Sequence, residues 1–299
     1  SDTRGDKPQV AYIPLTGRGH VQRKRGSEGH VKIDETKIIP RSELWLERRS
    51  VHCKDGYLGT NAVSASEFKY TLGYDVSETV RQQWHQYTHK QAPKPQPSSE
   101  ASAALEWGNK HEEDGLATVI HWATNLLHDM HPGRQITDIE VFQTGLYTLP
   151  APDEYLKCTP DYMLRYKIQG SPATIAIEIK CPYYGRNGTN PCADRACKEA
   201  YVLQTHLQMR ALGCETAWLV SWGPQETVVF RIKFCEDLWQ MMSDWARRWF
   251  DSVQCPDHRA DLPKQLKNCC QEVAKLATRQ RRDRVSQAAH KGNDESMMG

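Results

Sequence analysis

The chain has 299 residues, a length that suits one large or two small domains, and its 38% hydrophobic and 25% charged residues describe a polar chain able to build a core. Lys and Arg number 39 against 37 Asp and Glu; the net charge of +2 excludes a simple nucleic-acid-coating protein but leaves room for local basic patches. No run approaches the ~18 consecutive apolar residues of a membrane span, and Ser1–Asp6 lacks a signal-peptide core, so the expectation is an intracellular chain, with nucleus or cytoplasm unresolved.

Residues 1–40 are rich in Gly, Arg and Lys without periodicity, and read as a flexible basic arm. Residues 41–255 read as one folded domain. Its pattern turns helical at Ser64 and again from Ser77 to Tyr87. Proline alternates with polar residues from Gln91 to Ser99, which predicts an extended internal loop over about 90–100. A long helix is then predicted from about Ala101 to His128. Leu105, Gly108, Glu112, Leu116, Val119, Ala123 and Leu126 share one face of it. Glu112 is the odd member of that stripe, because a buried carboxylate is costly unless paired or bound to a cation.

Strand-like runs follow at Ile139–Tyr147, Tyr162–Ile168 and Ala173–Ile179. A helix is predicted from about Cys197 to Leu212, then strands at Thr216–Trp222 and Thr227–Phe234, and an amphipathic helix from Glu236 to Val253. Residues 256–299 read as a polar, basic tail. The fold class expected from this order is α/β, a central mixed sheet flanked by helices. Ten cysteines without a Cys-x-x-Cys spacing read as reduced thiols rather than a zinc or cluster site. Of the nine tryptophans, Trp45, near Arg48 and Arg49, is the one singled out for DNA contact.

The chemistry concentrates in Cys158-Thr159-Pro160-Asp161 and Glu178-Ile179-Lys180. Along the second strand Ile175, Ile177 and Ile179 point one way, and Thr174, Ala176, Glu178 and Lys180 the other. Glu178 and Lys180 thus end one face, ~6.5–7 Å apart along the strand. A hairpin through Gln169–Pro172 brings Asp161 back beside Glu178. Two carboxylates on neighbouring strands make a hard-oxygen site suited to Mg²⁺, with Mn²⁺ as a substitute. A lysine beside them can orient water or offset charge on a phosphate.

This layout resembles the PD-(D/E)xK nuclease superfamily with its restriction-endonuclease-like core. Further segments resemble its lambda-exonuclease-like branch, the YqaJ-like viral recombinases: Trp107–Glu112, Glu178–Tyr183, Tyr201–Met209, Leu212-Gly213 with Trp218–Pro224, and Ser64–Phe68 with Leu72-Gly73. The resemblance spans roughly residues 50–250. It implies metal coordination by Asp161, Glu178 and the Ile179 carbonyl, with Glu112 serving a second ion or its waters. It gives Lys180 the attacking water and has Gln204 hold the site together. Ser64, Ser66, Tyr201 and Gln208 would face substrate, Ser66 binding a phosphate.

The implied activity is a Mg²⁺-dependent exonuclease acting 5′ to 3′ on linear duplex DNA and leaving single-stranded tails for recombination or repair. An endonuclease or RNA-cleaving enzyme with the same site is an alternative, as is a non-catalytic DNA-end-binding module. The implied partners are DNA ends and a single-strand annealing protein, with no membrane; homo-oligomers occur among phage members. One departure stands out: the branch often places an arginine shortly before its serine motif, where this chain reads Gly59-Thr60-Asn61-Ala62-Val63.

Overall fold

The computed structural model describes residues 10–14, 40–42, 60–184 and 191–283. The arm at 1–9 and 15–39, together with Trp45, Arg48 and Arg49, lies outside the described residues.

A seven-stranded sheet forms the centre, in the order β1-β3-β6-β7-β8-β9-β10. These strands are β1 (Ala11–Ile13), β3 (Ile136–Gln143), β6 (Tyr162–Ile168), β7 (Ser171–Lys180), β8 (Thr216–Trp222), β9 (Glu226–Lys233) and β10 (Thr278–Asp283). The β1/β3 and β7/β8 pairs are parallel and the others antiparallel, so the sheet is mixed. A small second sheet joins β2 (Val63–Ser64), β5 (Leu156–Cys158) and β4 (Tyr147–Thr148) in the order β2-β5-β4.

Two apolar layers sandwich the main sheet. On one face Ile175, Ile177 and Ile179 of β7 join Leu116, Val119, Ala123 and Leu126 of the long helix α3 (Ser99–Met130). On the other face Ala176 joins Val202, Leu203 and Leu207 of α4 (Glu199–Leu212) and the tryptophans of α5 (Glu236–Asp251). The period-two alternation of β7 therefore assigns its isoleucines to one layer and Glu178 to the other. Each fully buried aliphatic side chain contributes roughly 1.5–3 kcal/mol to this arrangement.

Local chemistry sets the element ends. Pro97 cannot continue a helix, and Ser98 caps α3 by accepting from the Ala101 N–H at 3.2 Å. Residues 93–98 before it belong to no helix or strand. Two short helices, α1 (Phe68–Leu72) and α2 (Glu78–Thr88), pack beside α4 and α5. They are tied by Arg81, only 1% exposed, which donates from Nε to the Thr71 carbonyl at 2.9 Å and also bonds the Pro256 carbonyl. Its guanidinium lies 5.7 Å and 5.3 Å from the rings of Trp245 and Trp249. Among the described residues no helix is long and apolar enough to cross a membrane.

Two sequence expectations change. Within the supposed arm, Ala11–Ile13 adds an edge strand to the sheet. Within the supposed tail, α6 (Asp261–Leu276) buries Leu266 and Cys270, and β10 pairs with β9 along six residues. Leu262, Leu266, Cys270 and Val273 recur at helical steps, so a weak apolar stripe outweighs the polar composition of that segment.

Candidate active site

Asp161 and Glu178 meet where β6 and β7 run side by side. Tyr162 pairs with Ile177, and continuing that antiparallel register sets Asp161 opposite Glu178. Asp161 Oδ2 accepts the Ile179 N–H at 2.7 Å, which locks the carboxylate against the end of β7.

Glu178 is 2% exposed and is held by three side-chain donors. Its Oε1 accepts from Lys180 Nζ at 2.5 Å and from Gln204 Nε2 at 2.6 Å; its Oε2 accepts from Gln208 Nε2 at 2.6 Å. Gln204 and Gln208 lie one turn apart on α4, which makes both amides face the same strand. Gln208, expected to touch substrate, is fully buried with its amide on Glu178, because that helix face packs onto the sheet.

The electrostatics follow from crowding like charges in a buried place. Burial, then Glu178, then Glu112 push the Asp161 carboxyl well above its ordinary pKa. Burial opposes the charge on Lys180, but Glu178 and Asp161 outweigh it and hold the ammonium above its ordinary pKa.

Glu112 reaches the site from the opposite layer. A Cβ at Gly115 would lie 2.6 Å from Ile179 Cγ2, so the missing side chain lets α3 touch the end of β7. Glu112, one turn earlier, is thereby brought within electrostatic range of Asp161. It does not lie within the apolar stripe. The buried part of α3 begins at Gly115, and Leu105, expected on the stripe, is exposed. The Glu112 carboxylate accepts from Arg41 Nη2 at 2.6 Å.

The residues fit a divalent cation at Asp161 and Glu178. Both donors are hard carboxylate oxygens, and Asp161 Oδ1 has no donor among the described residues. Glu178 Oε2, with one donor, retains acceptor capacity. Among the described residues no three His, Cys, Asp or Glu side chains close on one point, since Glu112 is turned to Arg41.

Ser64 and Ser66 sit at the start of the α1 segment, their hydroxyls 3.3 Å apart. Ser64 is buried and its backbone N–H donates to Glu67 Oε2, whereas Ser66 is exposed. Tyr201 projects between two lysines, Lys180 Nζ 5.3 Å and Lys198 Nζ 5.5 Å from its ring centre. Lys69 completes a cationic group: burial and then the charge of Lys180 lower its pKa, and it has no ion-pair partner among the described residues.

The sequence reading missed Arg41, Lys69 and Lys198. Lys69 follows Ser66 by three residues and Lys198 precedes Tyr201 by three, so helical spacing offered a signal for both. Arg41 offered none, its partner lying 71 residues away.

No curated protein sequence matches the chain. Among solved structures it is similar to an alkaline exonuclease of Laribacter hongkongensis, LHK-Exo, at 18% identity over 79% of this chain and 100% of that one, with a TM-score of 0.42. A structure of LHK-Exo in complex with dAMP gives 20% identity over the same shares and a TM-score of 0.44. The family profile of the YqaJ-like viral recombinase domain matches residues 44–215, a span of more than half the chain that includes Glu112, Asp161, Glu178, Lys180 and Gln204. The chain belongs to the YqaJ-like viral recombinase domain family.

Proposed function

We propose that the chain is a Mg²⁺-dependent nuclease that degrades one strand of linear duplex DNA from an end, 5′ to 3′, and leaves single-stranded tails for recombination or repair. The observation that carries this reading is the buried Asp161–Glu178–Lys180 group, with Gln204 on Glu178 and Glu112 facing it from the opposite layer. The direction and the preference for ends rest on the family resemblance. DNA ends and a single-strand annealing protein are the partners this role implies.

A Mg²⁺ or Mn²⁺ ion held by Asp161, Glu178 and the Ile179 carbonyl would acidify a water and offset charge on the phosphate. Glu112 would serve a second ion or its waters. Lys180 donates to the attacking water and orients it toward phosphorus. Gln204 and Gln208 fix the Glu178 carboxylate, so it does not swing as charge develops. Ser66, Tyr201 and the lysines beside it hold the backbone phosphates in register. The water loses a proton to solvent as its oxygen bonds to phosphorus, the bond from phosphorus to the sugar oxygen breaks, and that oxygen takes up a proton from solvent.

The test is Mg²⁺-dependent digestion of linear duplex DNA labelled at either end, beside a covalently closed circle. Loss of the linear DNA from its 5′ ends with the circle intact is expected. Cutting of the circle points to an endonuclease, and binding without cleavage in Mg²⁺ or Mn²⁺ points to an end-binding module.

A further inference from the structure

Five aromatic rings stand in series beside Glu112, and the cleavage chemistry uses none of them. Tyr183 and Tyr184 leave the end of β7 just past Lys180, with ring centres 4.7 Å apart and edge-on. Tyr183 lies 6.0 Å from Trp107, Trp107 lies 4.0 Å from His111, and His111 stacks on Trp222 at 4.9 Å with 15° between the planes. Trp107 and His111 are one turn apart on α3, and His111 adjoins Glu112 in sequence.

The series runs from core to surface. Trp222 is buried, His111, Trp107 and Tyr183 are half-buried, and Tyr184 is 49% exposed. Its inner members are held firmly: His111 Nδ1 is 2.8 Å from Asp114 Oδ2, and Trp222 ends β8. The buried Trp107 Nε1 and His111 Nε2 have no hydrogen-bond partner among the described residues. Unmade hydrogen bonds in a buried place are costly, and a core packed for stability alone avoids them. Flat faces on a rigid base, open at the outer end where Tyr184 is exposed, match a planar ligand. Beside a phosphodiester-cleaving centre that ligand is a nucleobase.

We propose that Tyr184, Tyr183 and Trp107 form a stacking platform for unpaired bases of a nucleic-acid strand next to the cleavage centre. Placing the strand there rests on the nuclease reading; stacking itself is measurable without cleavage. Every base offers a face to stack on, so the platform binds single strands irrespective of sequence.

The experiment uses the full chain in Ca²⁺, with fluorescence anisotropy of a labelled oligothymidylate and of an abasic strand carrying the same number of phosphates. The wild type is expected to bind the base-bearing strand about tenfold more tightly than the abasic one, as loss of a single stacking partner typically costs. Tyr184→Ala, an exposed position that leaves the fold in place, is expected to remove most of that preference without weakening abasic binding. Binding is also expected to quench tryptophan fluorescence, and Trp107→Phe to reduce the quenching while keeping the preference. Equal affinity of the wild type for the two strands, or an unchanged preference in Tyr184→Ala, overturns the platform. Parallel digestion in Mg²⁺ and Mn²⁺ separates the two readings. Cleavage with no base preference refutes the platform alone, and base-dependent binding without cleavage refutes the nuclease reading alone.

Discussion

Gly115 lies so close over Ile179 that a Cβ at position 115 would come within 2.6 Å of Ile179 Cγ2. Ile179 is the residue whose N–H holds Asp161, so one contact links the seating of α3 to both halves of the site. Gly115→Ala forces Ile179 or the helix to shift, a cost of roughly 1–3 kcal/mol for overpacking. The expected result is a lower urea midpoint together with weakened cleavage. Full activity at reduced stability would show that the site does not depend on this approach.

Gln208 donates to Glu178 Oε2 from within the core, out of reach of solvent. Groups that orient a metal-binding carboxylate typically control affinity or activity by 10–100-fold. Gln208→Leu keeps the volume but removes the donor. We expect the Mg²⁺ concentration for half-maximal cleavage to rise at least about tenfold. An unaltered Mg²⁺ curve would reduce Gln208 to packing.

Lys180 and Lys198 both approach the ring of Tyr201, Lys198 also pairing with Asp194 at 2.8 Å. Lys69 lies within electrostatic range of both, a group of cations suited to an anionic backbone. Lys69→Gln and Lys198→Gln should each weaken DNA binding about uniformly across sequences. Each should also lower the slope of log affinity against log salt by about one. Slopes equal to that of the wild type would place these lysines away from the phosphates.

The sequence made the centre of this site legible because its register follows from short-range rules. A two-residue turn at Gln169-Gly170 fixes the β6/β7 pairing, and alternation along β7 fixes which way Glu178 faces. The β8 strand and the amphipathic α5 helix were legible from their periods for the same reason. The small β2-β5-β4 sheet was not, since strands of two or three residues carry no period. Arg81 and Arg41 act through partners 175 and 71 residues distant, and no local pattern encodes such pairs. Leu105 failed in the opposite sense, because the stripe on α3 runs on past the point where the helix leaves the sheet.

His206 is fully buried between α4 and α5, with Nδ1 2.8 Å from the Val202 carbonyl and Nε2 accepting the Cys235 N–H at 3.1 Å. Nδ1 thus carries the proton of a neutral ring. Burial pushes its pKa down from 6.5 to about 4, against a smaller opposing effect of the Val202 hydrogen bond. The unfolded chain takes up this proton first, so the stabilisation is whole above pH 6.5, falls as pH drops toward 4 and is flat below. The full displacement is on the order of 3 kcal/mol, about 2 of it reached by pH 5. His206→Gln retains a donor and an acceptor but does not titrate. Urea unfolding between pH 7 and 5 should therefore show a steeper loss for the wild type than for the variant. Parallel curves would mean that His206 takes up its proton equally in the folded and unfolded states across this range.

Arg41 and Glu112 form an ion pair that a cation drawing on Glu112 must break. The guanidinium is 56% exposed and the carboxylate 22%, and an ion pair so open to water is worth about 1 kcal/mol or less. A divalent ion or its water shell can displace it, and Arg41 then competes with the metal for Glu112. Arg41→Ala should lower the Mg²⁺ concentration for half-maximal cleavage by a few-fold, and Glu112→Gln should raise it. The double variant should match Glu112→Gln alone, because Arg41 has nothing left to compete for. If Arg41→Ala instead raises the Mg²⁺ requirement as Glu112→Gln does, the two residues act together on substrate, and the competition does not exist.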